Sequence, residues 1–124
     1  MQIQYAIFCE SMDFKTLPHS LKQPISILIL PDINTLRDIS LPLFITFIDG
    51  NYGKHTLHVK LISPTREVDI PDFDFDWSKN KLTYGNVFVV SFQFDIYGLY
   101  VFRLSVDGQF LREIPIPVIA EKKP

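Results

Sequence analysis

Asp72, Asp74 and Asp76 alternate with Phe73, Phe75 and Trp77. In an extended chain successive side chains point to opposite faces, so the three carboxylates share one side and the three aromatic rings the other. Hard cations take several oxygen ligands, and a carboxylate row on a sandwich loop could supply them. The calcium-loop signature requires a glycine after the third acid and a bidentate Glu further on. Trp77 and Ser78 stand there instead, so that signature fails. Aligned like charges also repel, which discourages edge-to-edge strand pairing. A solvated edge strand is therefore the expected reading. A ligand-binding surface for a metal, sugar or nucleotide, built on Asp72, Asp74, Asp76 and Trp77, is the alternative.

The other chemistry-bearing residues are sparse. His55 and His58 are three apart, a zinc-compatible spacing on a helix, but in a strand they point to opposite faces. Cys9 and His19 stand alone. Cys9 lies between Phe8 and Glu10, with no basic neighbour or helix N-terminus to lower its pKa, so a buried strand cysteine is expected rather than a nucleophile. Glu10 and Asp13 are the nearest pair of acids, and both fall at a strand end. No Gly-x-Ser-x-Gly, phosphate-cradling loop or Ser-His-Asp order is present. The expectation is a chain that is not an enzyme, with no cofactor and no metal. Three tyrosines remain. Tyr100 enters a late strand behind Gly98, where a tyrosine packs inward and bonds its hydroxyl to backbone at a sandwich corner. Tyr84 and Tyr97 sit at turns, as core-rim residues or as interface anchors.

These residues must be placed by strands. The chain has 124 residues, 47% of them hydrophobic and 21% charged, which suits one domain with a buried core. Phe 11 and Tyr 5 against one Trp favour strand over helix. A net charge of −2, with scattered Lys and Arg, argues against a nucleic-acid partner. A single cysteine excludes an intrachain disulfide and suits a reducing compartment. The start lacks a secretory signal pattern, and no run approaches the roughly 20 apolar residues of a membrane span. A cytoplasmic protein with no membrane contact is expected.

Alternation and turn residues predict strands at Gln2–Cys9, Ile25–Leu30, Pro42–Ile48, His55–Ile62, Glu67–Ile70 and Val87–Phe94, then two more around Asp107-Gly108. In the first, Ile3, Tyr5, Ile7 and Cys9 share one face, and Phe8 suggests burial on both sides at that end. Met12–Gln23 reads as a polar connection. Ile25–Leu30 reads as a strand covered on both faces. One helical turn is expected within Asp32–Ser40. Asp49–Gly53 reads as a hairpin loop, and Pro71–Asn80 as irregular or edge-like. In His55–Ile62 the inward residues are Leu57, Val59 and Leu61. Asp107-Gly108 favours a tight hairpin with φ > 0. Pro115 and Pro117 put the last strand at an edge, or let its tail pair on one side only. Residues 1–119 form the domain and 120–124 a solvated tail.

Three segments also resemble a small bacterial and phage-associated β-sandwich family with no assigned function. They are Tyr5-Ala-Ile-Phe-Cys-Glu10, the stretch His55–Pro64, and the ending Gly98-Leu-Tyr-Val-Phe through Val106-Asp-Gly to Ile114-Pro-Ile-Pro-Val118. The sequence departs from that pattern after Ile25–Leu30, where Pro31-Asp32 replaces a glycine-containing turn. The resemblance implies a sandwich and carries over no catalytic residue.

The sequence therefore predicts an all-β protein: a single antiparallel β-sandwich of about seven or eight strands, immunoglobulin-like or related, with a jelly roll as the alternative. The expected role is a non-catalytic interaction or accessory module, with a protein partner or self-association. Its candidate binding residues are Asp72, Asp74, Asp76, Trp77, Tyr84 and Tyr97.

Overall fold

A computed structural model describes residues 1–13, 20–25, 28–30, 37–79, 81–94 and 96–120, with side chains described for 1–9 and from 39 onward within those ranges. The described residues form nine strands: β1 (Gln2–Asp13), β2 (Ser20–Ile25), β3 (Leu28–Leu30), β4 (Arg37–Ile48), β5 (Gly53–Ile62), β6 (Glu67–Trp77), β7 (Thr83–Phe94), β8 (Gly98–Val106) and β9 (Gln109–Ala120). Two sheets face each other, ordered β2-β1-β4-β7 and β3-β9-β8-β5-β6. All pairings are antiparallel except β3 with β9. The order β1-β4-β7 against β9-β8-β5-β6 is immunoglobulin-like, with β6 beside β5 as in the variable-type sheet. No helix among the described residues is long and apolar enough to cross a membrane.

The core is the space between the sheets. Leu43, Ile45 and Phe47 of β4 meet Leu57, Val59 and Leu61 of β5 and Phe102 and Leu104 of β8, all buried. Aromatic rings lock the two layers: Phe8 lies 4.7 Å from Phe102, and Phe47 stacks on Phe75 at 5.2 Å. Tyr100 is fully buried, and its hydroxyl donates to the Ile96 carbonyl at 2.7 Å. That is the corner bond expected at the entry to this strand. Asp107 and Gly108 have φ of 52° and 83°, and the β8–β9 hairpin closes on the Val106–Gln109 pair as the dipeptide predicts.

Several local expectations are corrected. A β-bulge between Ile3 and Tyr5 shifts the alternation of β1, so Ile3 and Phe8 are buried while Tyr5 is exposed. The connection expected at Met12–Gln23 is strand where it is described: β1 runs to Asp13 and β2 begins at Ser20, with 14–19 outside the described residues. Ile25 and Leu28–Leu30 belong to different sheets rather than one strand, and residues 26–27 between them lie outside the described residues. The expected burial on both faces of that stretch falls on side chains outside the described set. Of the expected helical turn, 32–36 lie outside the described residues and 37–40 are strand.

Asp49–Gly53 is not a hairpin loop. It carries the chain from β4 in one sheet to β5 in the other, with Asp49 and Gly53 at positive φ. Pro71 does not end a strand either. β6 runs through it at the sheet edge, within a bulge where Pro71 is paired with no residue of β5. Among the described strands β9 pairs with β8 alone from Gln109 to Pro117, so Pro115 and Pro117 lie on a one-sided stretch as expected, and β3 covers β9 only at Val118–Ala120. Ala120, expected in the tail, is the last residue of β9, and 121–124 lie outside the described residues.

Candidate interaction surface

The acid row lies on the outer face of β6, as alternation predicts, and a bulge enlarges it. Leu57 pairs with Phe73 but Val59 pairs with Ile70, so β6 carries an extra residue at Pro71-Asp72. The inward positions are therefore Val68 and Ile70 before the bulge and Phe73, Phe75 and Trp77 after it. Asp69 thereby joins Asp72, Asp74 and Asp76 on the solvent side. Strict alternation would have separated Asp69 from Asp72.

This shift encloses His58. Its Nδ1 donates to Asp72 Oδ1 at 2.7 Å and its Nε2 to Asp69 Oδ1 at 3.1 Å. Both partners are carboxylates, an arrangement that favours the imidazolium, the form that donates from both nitrogens. Its pKa is raised, first by the bond to Asp72 against the cost of burial, then by Asp69. Thr56 Oγ1 donates to Asp74 Oδ1 at 2.9 Å, and Lys60 pairs with Glu67 at 2.9 Å. Asp74 and Asp76 line an open trough of about 400 Å³ with Lys54 and Thr56. Among the described residues no three His, Cys, Asp or Glu groups are placed to hold a metal ion.

Trp77 does not share that surface. It points into the core, 3% exposed, donates Nε1 to the Lys81 carbonyl at 2.9 Å and packs on Gly50. Tyr84 also faces inward, stacking on Phe75 at 5.0 Å, and Tyr97 packs against the core from the turn before β8. The six candidates thus divide into three outward acids and three rings that pack on or in the core.

His55 is the residue that local reading places least well. Its Nδ1 donates to Asp107 Oδ2 at 2.6 Å and its Nε2 to the Asn51 carbonyl at 2.7 Å, while the ring stacks on Phe75 at 5.4 Å. Burial works against the charged ring, but the bonds to Asn51 and Asp107 prevail and its pKa is raised. Bonds from His55 and from the Thr56 N–H hold the Asp107 carboxyl below its ordinary value. Both ring nitrogens are engaged, one by Asp107 and one by the Asn51 carbonyl, so neither faces open space. Cys9 is buried, and burial raises its pKa, the opposite of an activated thiol.

The opposite sheet presents a different surface. Tyr5, Ile7, Pro42, Phe44, Val87 and Val89 lie on its outer face, with Tyr5 44% and Val89 56% exposed. The Tyr5 and Phe44 rings meet edge-on at 6.2 Å. β7 bounds this sheet with the sequence TYGNVFVVSFQF, which has no charge and no proline, and its register against β4 is unbroken from Arg37–Phe94 to Ile48–Thr83. Charge, proline and bulges are the usual protections of an edge. β6 has all three and β7 has none.

The open backbone groups of β7 can be assigned. Pro42, opposite Val89, has no N–H, so the two form a non-hydrogen-bonded pair and the polar groups of Val89 point away from β4. Alternation puts those of Val87 and Ser91 on the same side. Val87 agrees: its N–H donates to Asn86 Oδ1 at 2.8 Å, and Asn86 Nδ2 donates to the Tyr84 hydroxyl at 2.9 Å. Asn86 therefore closes the edge at Val87. At Val89 and Ser91 no described strand covers it.

Neither a scan against protein-family models nor a search of curated proteins finds a match to this chain.

Proposed function

We propose that the chain is a non-catalytic protein-interaction module that binds through β7 and the adjoining apolar face. The observation that carries this reading is the edge itself: twelve uncharged residues, the exposed Val89 among them, beside Tyr5 and Phe44. Strand addition draws affinity from main-chain bonds and specificity from alternate side chains, and needs such an edge. Two histidines with both nitrogens engaged and a buried, unactivated thiol support a role without catalysis. A reducing, cytoplasmic setting fits the single cysteine, and an accessory role on host or phage components is what the family resemblance suggests. The low net charge argues against nucleic acid as the partner.

The test compares the wild-type chain with Val89→Lys, which places a charge on the exposed edge and touches no core contact. Native mass and stoichiometric capture from host lysate are read for both. A defined oligomer or stoichiometric partner that Val89→Lys abolishes supports the module. A monomer that captures nothing, or a partner held equally by both, rejects it. A second reading, a polar ligand in the trough at Lys54, Asp74 and Asp76, rests on that open volume alone. It predicts a thermal shift with ligand that Asp74→Asn removes.

A further inference from the structure

We propose that the occupant of the β7 edge is an extended segment alternating apolar and basic residues, its basic side chains lying between β6 and β7 against Asp72. This rests on the interaction reading and names the partner's chemistry.

β6 and β7 are edges of different sheets on the same flank of the sandwich. Between them runs a groove of about 160 Å³ lined by Ile70, Pro71, Asp72 and Phe73 of β6 and Val89 and Ser91 of β7. The two sides offer different things. β7 offers backbone groups at Val89 and Ser91. β6 offers little backbone there, because Pro71 lacks an N–H and the bulge breaks its register. Instead it offers an apolar wall ending in a carboxylate. A strand added to β7 would turn one set of side chains outward beside Val89 and the alternate set inward toward β6. Outward positions suit apolar residues, continuing the face of Val87 and Val89. Inward positions suit a long aliphatic stem with a cationic head, the stem on Ile70 and Phe73 and the head at Asp72. Asp74 and Asp76 extend the same negative row along β6. His58 beside Asp69 and Asp72, and Lys54 opposite Asp76, offset only part of it.

The same charges disfavour a second copy as occupant. Two chains joined through β7 would bring their β6 rows to one flank, carboxylates against carboxylates. A basic segment meets the row with opposite charge.

The probes are two synthetic ten-residue peptides, one alternating Lys and Val and one alternating Glu and Val, titrated against the full-length chain. The Lys-Val peptide is expected to bind, more weakly as salt rises, and the Glu-Val peptide to fail. Asp72→Asn should weaken the Lys-Val peptide by about threefold, as for a partly exposed ion pair. Asp72→Lys should reverse the preference. Methylating alternate peptide nitrogens should abolish binding in one of the two phases, a check that requires no protein variant. Equal binding of both peptides, or indifference to Asp72→Lys, overturns the basic partner while leaving the edge reading intact. An oligomer lost in Val89→Lys with no peptide bound makes a second copy the occupant and also overturns it. Binding that survives methylation in both phases rejects the edge itself.

Discussion

His55 ties three parts of the chain at one point: the crossing at Asn51, its own strand β5, and the β8–β9 turn at Asp107. Only an imidazolium can donate both bonds, so the tie depends on pH. His55 and His58 have raised pKa values in the folded chain, so their contribution is full below the ordinary imidazole value of about 6.5. It is lost as pH rises through the folded values. Asp107 has the opposite sign: its contribution is present above the ordinary carboxylate range and fades as pH falls through its lowered value. Thermal melts should therefore show stability declining as pH rises from about 6.5. His55→Gln combined with His58→Gln should flatten that decline, and an unchanged slope would assign it to other groups. The acid row was legible in the sequence because alternation needs only neighbours. The His55–Asp107 pair was not, since its members meet only once β5 and β8 lie side by side.

At the scale of elements, the crossing at 49–52 and the bulges in β1 and β6 decide more than any strand's composition. Gly50 lies against the Trp77 indole, and an added Cβ would come 2.4 Å from the ring. Gly50→Ala should displace the indole and destabilise the fold by about 1–3 kcal/mol, as overpacking does. Trp77 is the single tryptophan, so its emission reports the change directly. A native emission maximum with unchanged stability would contradict that packing. The bulge at Pro71-Asp72 explains why a period-two reading was right on either side of it and wrong across it. It also explains why β6 runs through Pro71 as one edge strand, where the sequence suggested a short strand followed by an irregular or edge-like stretch. A bulge is one extra residue against a partner strand, and nothing in either strand alone counts the residues of the other.

At the scale of the molecule, nearly every strand pairs with one distant in sequence: β4 with β7, β5 with β8, β3 with β9. Such topologies must close long loops before their contacts form. Refolding followed by Trp77 emission should take on the order of milliseconds to seconds, and a microsecond phase carrying the full amplitude would contradict this. The sequence by itself determined the class: alternation, aromatic content and the Asp107-Gly108 turn are local signals that specify strands and a hairpin wherever they end up. It also determined the outward face of Asp72, Asp74 and Asp76 and the inward course of Leu57, Val59 and Leu61. Only the tertiary structure decided that the 49–53 crossing changes sheets, that β9 is covered by a parallel β3, and that β6 and β7 become neighbouring edges. Their contrast, β6 with charge, proline and a bulge and β7 with none of these, matters because an edge is a property of the strand order and not of the strand.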